Sequence, residues 1–203
     1  MEGQFYKLLT VDHGIEGILE VALPEHAGGH GVCIVKLDRS AAPRAMEALR
    51  AIADLPRGIP KLLIAVDSDI DARDPESVNW AMAFRIQPHR DVEIRNAVVM
   101  ALDFSIAPPE ERGEIGSVKA STLLIDATRK WNYPPTSLPR KEFMDKAQSL
   151  WERLQLPAID LKSPWFGYDL GYWSQEDIDD AARALEGRHY QTGELTKARR
   201  KRI

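Results

Sequence analysis

Three aspartates at alternate positions, Asp67, Asp69 and Asp71, close the run KLLIAVDSDID over residues 61–71. Carboxylates at that spacing open a calcium loop. The rest of that pattern fails, because Ala72 stands where the loop needs glycine and Val78 where it needs a bidentate glutamate. A magnesium- or phosphate-linked role remains, since carboxylates gathered at a strand end can hold a cation. So does a structural turn, in which the carboxylates cap backbone amides and pair with Arg73, Arg85 or Arg90; the residue types favour the turn. A second group, Asp126, Thr128, Arg129 and Lys130, follows the apolar run at 123–125. Arginine supplies a planar donor fork, so this set can bind an anion. It can equally form a salt-bridge network within or between subunits, and the sequence leaves both open. His26 and His30 lie in the glycine-rich stretch HAGGHG (26–31) without a helix, a third ligand or a neighbouring glutamate, so they make a poor metal site. Gly28, Gly29 and Gly31 read as a turn, because no Lys-Ser/Thr follows to complete a phosphate loop. Cys33, in the run VCIV, reads as a small buried hydrophobe. No serine or cysteine triad is visible.

Buried strands that surface in carboxylates would position both acidic groups. A strand over 32–37, a helix over 42–54 with Pro43 in its first turn, and a strand over 62–66 form a β-α-β pattern, which favours a right-handed parallel crossover. Asp74-Pro75-Glu76 is a helix start, with Asp74 as cap. Val78, Ala81, Met82 and Arg85 then follow the helical period, and Pro88 is expected to end it. Residues 92–102 have strand character, 108–117 form a polar loop, and 121–125 a further strand. The final third is helical. Phe143, Ala147, Leu150 and Leu154 make an amphipathic stripe. Ser174 to Asp177 resembles a capping box, with Gly187 as the later stop. Between these helices, 157–173 is rich in proline, glycine and aromatics (Trp165, Phe166, Tyr168, Tyr172, Trp173), a composition expected to pack on its own domain or on a partner. Residues 197–203 read as a fraying basic tail. The predicted fold is α/β: a mixed, largely parallel sheet flanked by helices over 1–135, then a helical, aromatic loop-rich extension over 136–203.

The chain has 203 residues, 44% hydrophobic and 29% charged, with a net charge of −4. That mild acidity argues against a general nucleic-acid binder. No apolar run approaches the roughly 20 residues a membrane span needs, and the N-terminus lacks the features of a secretory signal. A single cysteine excludes an internal disulfide framework and fits a reducing compartment. A cytoplasmic location is expected.

KLLIAVDSDID (61–71), VNWAMAFR (78–85) and RDV (90–92) resemble the UbiD family, carboxy-lyases that use a prenylated flavin mononucleotide. The family pattern is an apolar strand, a VDDDID-like turn, a helix reading WA-small-x-R and an RDV-like step. IDATRKW (125–131) resembles the family's IDATxK step, and WFGYDLG (165–171) is similar to the ending of members acting on phenolic acids. Ser68 stands where an aspartate is usual, which weakens a metal role for the turn and leaves capping intact. The likeness covers roughly residues 15–190.

The resemblance is to the family's C-terminal domain only. It implies that the prenylated FMN, a divalent metal and potassium are held by a flavin-binding domain outside this chain. That domain carries an asparagine, a histidine and a glutamate as metal ligands, and an arginine with two glutamates for proton handling. No residue here matches those roles, so no catalytic or metal-ligating residue is assigned. The C-terminal domain mainly builds the oligomer, and its hinge motion opens and closes the site. In some members one of its lysines reaches the flavin phosphate; Lys61 is the candidate by position. The chain is therefore expected to be part of a split or longer (de)carboxylase for an aromatic or unsaturated carboxylic acid. It would pair with a flavin-binding subunit and self-associate at least to a dimer. The alternative is a non-catalytic oligomeric or regulatory protein that keeps only this domain.

Overall fold

The computed structural model describes residues 1–38, 40–56, 58–98, 103, 105–106, 108, 110, 120–131, 133, 141–158 and 175–199. The chain divides into two compact units, Met1–Trp131 and Asn132–Ile203, a few residues before the expected division at 135.

The first unit is a five-stranded sheet in the order β1-β2-β3-β5-β4. β2 (Val32–Leu37), β3 (Leu62–Asp67) and β5 (Ala120–Ala127) run parallel. β1 (Ile18–Ala22) and β4 (Val92–Ala97) are antiparallel edges. Both faces of the central strands are covered, which is why β3 reads as an unbroken apolar run. Leu63 and Ala65 turn to one face with Cys33, Val35, Leu124 and helix α2 (Ala45–Ala53), whose Leu49 and Ile52 are fully buried. Ile64 and Val66 turn to the other with Ile34, Ile125 and helix α3 (Pro75–Arg85). Cys33 is fully buried, and burial pushes its thiol up to about 12, so it stays protonated and is no nucleophile. Thr122 donates its hydroxyl to Pro60 O at 2.7 Å, fixing the register of β5 against the start of β3.

Several expectations are refined. The helix expected over 42–54 begins as a 3-10 turn, Ala42–Arg44, before α2 proper. Pro88 does not end α3, which stops at Arg85; it starts the four-residue helix α4 (Pro88–Asp91), where its missing N–H costs nothing. β4 is described to Ala97, and residues 99–102 of the expected longer strand lie outside the described residues. The sequence reading missed β1 and the N-terminal helix α1 (Glu2–Lys7), which continues as a π-helical turn, Leu8–Asp12. At the entry to β1, Gly17 has φ +79°, and a Cβ there would stand 2.8 Å from the Ala41 Cβ; only glycine fits.

The second unit contains α5 (Lys141–Arg153), α6 (Gln175–Leu185) and α7 (His189–Arg199). α7 carries the start of the expected tail, Lys197 to Arg199, in helix instead of frayed chain. On α5 the expected stripe is present, with Phe143 and Leu150 exposed. The aromatic segment 165–173, Ser174, and most of residues 108–117 and 132–139 lie outside the described residues. Among the described residues no helix is long and apolar enough to cross a membrane.

Candidate functional site

The acidic groups surface where expected, at the carboxyl ends of the adjacent parallel strands β3 and β5. β3 ends on Asp67, and the chain then turns sharply: Ile70 donates its N–H to Asp67 O, and the buried Ile70 and Ala72 hold the turn against the core. Asp71 accepts the Arg73 N–H at 2.9 Å. Asp74 accepts the Ser77 N–H at 3.1 Å and so caps α3. Each is a capping contact of the kind expected for a structural turn.

Arg85, at the end of α3, reaches back to this turn. Its Nη1 donates to Asp67 Oδ2 and to Asp69 Oδ1, both at 2.9 Å, and its Nη2 donates to Asp69 Oδ2 at 2.7 Å. Its guanidinium lies 5.1 Å from the centre of the Trp80 ring, a cation–π distance. Two residues past β5, the Arg129 N–H donates to Asp67 Oδ2 at 2.8 Å. The Arg129 side chain stands 3.5 Å from Asp67 and 3.7 Å from Asp69. Two arginines thus face two aspartates, and the Asp67 and Arg85 side chains are only 2% and 3% exposed. Burial pushes the Asp67 carboxyl above its ordinary value, against the pull of the Arg129 amide and the Arg85 charge. Burial also opposes ionisation of Asp69, but the Arg85 hydrogen bonds and the charges of Arg85 and Arg129 outweigh it and hold Asp69 below its ordinary value.

A second cluster adjoins the first. Lys130 Nζ donates to Asp126 O at 2.6 Å and Thr128 O at 2.8 Å, and pairs with Asp126 Oδ1 at 3.0 Å and Asp91 Oδ1 at 3.7 Å. Asp91 is buried, accepts the Gln87 N–H and pairs with Arg90, whose guanidinium lies over Trp131. Of the two readings for Asp126, Thr128, Arg129 and Lys130, the contacts are those of an intramolecular salt-bridge network. Of the three arginines considered for the β3 turn, Arg85 is the partner. The Arg73 side chain pairs with Glu2 and Glu20, and Arg90 with Asp91. The sequence groups Arg129 with Asp126 and not with the β3 turn, and it marks no role for Asp91. Their signal was present in the RDV and IDATRKW segments, but the pairings span long sequence separations.

Lys61 is at the other end of β3. Its Nζ pairs with Asp103 at 2.7 Å and donates to Ser105 Oγ at 2.5 Å. The glycine-rich loop lies at that same amino end, since Gly31 O accepts the Leu62 N–H. His30 Nδ1 is hydrogen-bonded to Gly28 O at 2.6 Å. Among the described residues no group of three or more His, Cys, Asp or Glu could hold a metal ion.

Two crevices lie among the described residues. One, of about 360 Å³, is lined by Ala42, Pro43, Asp126, Thr128, Arg129, Lys130 and Trp131. The other, of about 460 Å³, lies along α1 between Met1 and Asp12, with Leu55 and Gly58. A flavin mononucleotide needs cationic or amide donors for its phosphate together with an apolar slot for its rings. In the first crevice Lys130 is directed at the Asp126 and Thr128 carbonyls and at the Asp126 and Asp91 carboxylates, and Arg129 at Asp67 and Asp69. In the second the cationic side chain is Lys7. The described residues do not fit the flavin as a self-contained site.

The family model for the 3-octaprenyl-4-hydroxybenzoate carboxy-lyase C-terminal domain matches residues 2–127. The chain therefore belongs to the UbiD family through that domain. An uncharacterized protein of Archaeoglobus fulgidus is 26% identical over 68% of this chain and 29% of its own length. Among solved structures, the closed form of the vanillic acid decarboxylase of Sedimentibacter hydroxybenzoicus is 26% identical with a TM-score of 0.56. That match covers 76% of this chain and 32% of the other. The UbiD-class enzyme HmfF from Pelotomaculum thermopropionicum, solved with FMN, is 24% identical with a TM-score of 0.56, over 72% of this chain and 32% of its own. The 3,4-dihydroxybenzoic acid decarboxylase AroY of Klebsiella pneumoniae is 22% identical with a TM-score of 0.53, over 71% and 32%. These last two show a shared fold. The chain spans about a third of the length of the relatives it matches.

Proposed function

We propose that this chain is the closing and oligomer-forming part of a prenylated-FMN-dependent (de)carboxylase acting on an aromatic or unsaturated carboxylic acid. A separate flavin-binding domain would carry the catalytic residues, the divalent metal and the potassium ion. The observation that carries this reading is the extent of the match. It covers the C-terminal domain of a carboxy-lyase family and about a third of the length of whole relatives. The charged clusters agree with it. Their contacts tie β3, α3 and β5 together, which suits a domain that moves as a unit. Closure would exclude water from the partner's site and strengthen the electrostatics there. Within this reading Lys61 lends one donor to a flavin phosphate held by the partner, exchanging Asp103 for it.

The test is purification of the chain from its native host under mild anaerobic conditions, with identification of what accompanies it. Recovery of a larger polypeptide carrying a modified flavin is the expected result. A lone homo-oligomer without flavin would sink the enzyme reading and leave the non-catalytic one.

A further inference from the structure

The first twelve residues are held to the sheet by few contacts. α1 buries one side chain, Phe5, and six residues are too few for a helix to stand without tertiary support. Along one flank α1 leaves a crevice of about 460 Å³ against Leu55 and Gly58. At its carboxyl end the chain widens into the π-helical turn Leu8–Asp12. The His13 N–H donates to Leu8 O there, and the Ile15 N–H to Leu9 O. Such wide turns are rare and gather at functional sites. Leu9 is fully buried, so the turn is the anchored end of the segment.

The amino end is fastened by Glu2. Its Oε1 accepts the Leu23 N–H, just past β1, at 2.7 Å, and its Oε2 accepts from Arg73 Nη2 at 3.0 Å. Leu23 is buried, so water cannot readily take the place of that carboxylate. Arg73 Nε donates to Glu20 Oε1 of β1 at 2.8 Å. The Arg73 N–H is held by the Asp71 carboxylate at 2.9 Å. One arginine therefore touches α1, β1 and the acidic turn after β3. Two further bonds shape that turn, from the Ile70 N–H to Asp67 O and from the Asp74 N–H to Asp71 O. The same turn presents Asp69 to Arg85.

We propose that residues 1–12 are a strap that opens locally from the first unit, pivoting at the π-helical turn, and that Arg73 couples its opening to the acidic turn. With the strap down, the Arg73 guanidinium is held between Glu2 and Glu20 while Asp71 holds its N–H, and the turn is fixed. With the strap up, Arg73 loses one of its two carboxylates, and the turn loosens beside the Asp67–Arg85 cluster. Coupling between two sites is reciprocal, so loosening the turn also eases the strap open. In α/β sheets the carboxyl ends of the strands are the edge that receives ligands. The strap thus sets the mobility of that edge from the far side of β1. The device uses residues of the first unit alone and does not depend on a flavin partner.

Amide hydrogen exchange of the full chain, read residue by residue at several low guanidinium concentrations, tests it. In the wild type the His13, Ile15 and Leu23 amides are expected to exchange about tenfold or more faster than Ile64 of β3, with a weaker denaturant dependence, as a locally opening unit does. Glu2→Ala is expected to speed exchange at Ile70 and Asp74, and Asp71→Ala at His13 and Ile15, each by about fivefold or more. In each case the reporting amide has no hydrogen bond to the side chain removed. The Glu2 and Arg73 side chains are more than a third exposed and Asp71 is exposed, so the variants keep the fold. With Arg73→Met in place, which leaves the backbone bond to Asp71, both cross-effects are expected to vanish. Exchange of His13, Ile15 and Ile64 at one common rate and denaturant dependence would overturn the strap. Cross-effects that persist with Arg73→Met, or that are absent with Arg73 in place, would overturn the coupling.

Discussion

Replacing the buried Arg85 by methionine should destabilise the first unit strongly. Arg85 makes three hydrogen bonds of 2.7–2.9 Å to Asp67 and Asp69 and is 3% exposed. Methionine matches its stem but leaves two buried carboxylates facing Arg129 alone, at 3.5 and 3.7 Å. Removing one partner of a buried ion pair costs about 3–5 kcal/mol, because the remaining charge keeps its desolvation penalty. For a urea m-value of about 2 kcal/mol/M, that is a midpoint shift of roughly 2 M. Arg85→Lys keeps the charge and loses the fork, so it should fall between the variant and the wild type. The loss also carries a pH signature. Burial already raises Asp67. Without Arg85 its folded-state pKa rises further above the unfolded value, so the penalty is present at neutral pH and shrinks as pH falls toward the ordinary carboxylate value. The assay is urea unfolding of both proteins followed by far-UV circular dichroism, at pH 7 and at pH 5. A difference below about 1 kcal/mol at pH 7, within the range of an exposed ion pair, would refute the account of this cluster. So would a gap that widens on acidification.

Three further outcomes are expected. Asp69 and Asp91 are held below their ordinary values by Arg85 and by Arg90 with the Gln87 amide, in each case against burial. The stability they contribute is present above the ordinary carboxylate range and lost as pH falls through their depressed values. An acid titration of the unfolding midpoint should therefore fall steeply below about pH 4, and Asp69→Asn should flatten it. Gly17→Ala should cost about 1–3 kcal/mol, through its positive φ and its contact with Ala41, read as a lowered urea midpoint. In a complex reconstituted with the flavin-binding partner, Lys61→Ala should weaken FMN binding with little change in the stability of this chain. Its ion pair with Asp103 is half exposed on the lysine side, and such pairs contribute about 0–1 kcal/mol; unchanged FMN binding would remove Lys61 from the cofactor.

Much of the first unit was legible because burial on both faces leaves its mark in the chain. β3 and β5 are apolar runs that end in acids, and Asp74-Pro75 announces α3. Arg85 was visible in part: it falls at the helical period of Val78 and Ala81 and was one of three arginines open as partners of the turn. Its acceptors lie 16 and 18 residues earlier, in the turn where aspartates alternate. What escaped was nonlocal or short. The Arg129 amide that Asp67 accepts lies 62 residues away, and no pattern within either segment specifies a backbone donor. β1 is five residues with a bulge that breaks the alternation of buried and open positions, too brief to separate from a loop. α1 carries one buried residue, Phe5, so it has no apolar stripe to reveal it. The Lys61–Asp103 pair joins a strand start to a loop and obeys no period.

The bond from the Arg129 N–H to Asp67 has a mechanical meaning. Tension arriving along the chain at Trp131 does not enter the sheet through β5 alone. The amide passes part of it to the end of β3, so two parallel neighbours are pulled together along their length. Strands loaded at the same ends move as one, so the bonds between them are spared the shear that a pull on β5 alone would set up. Without the Asp67 carboxylate, the same tug would bear on β5 first.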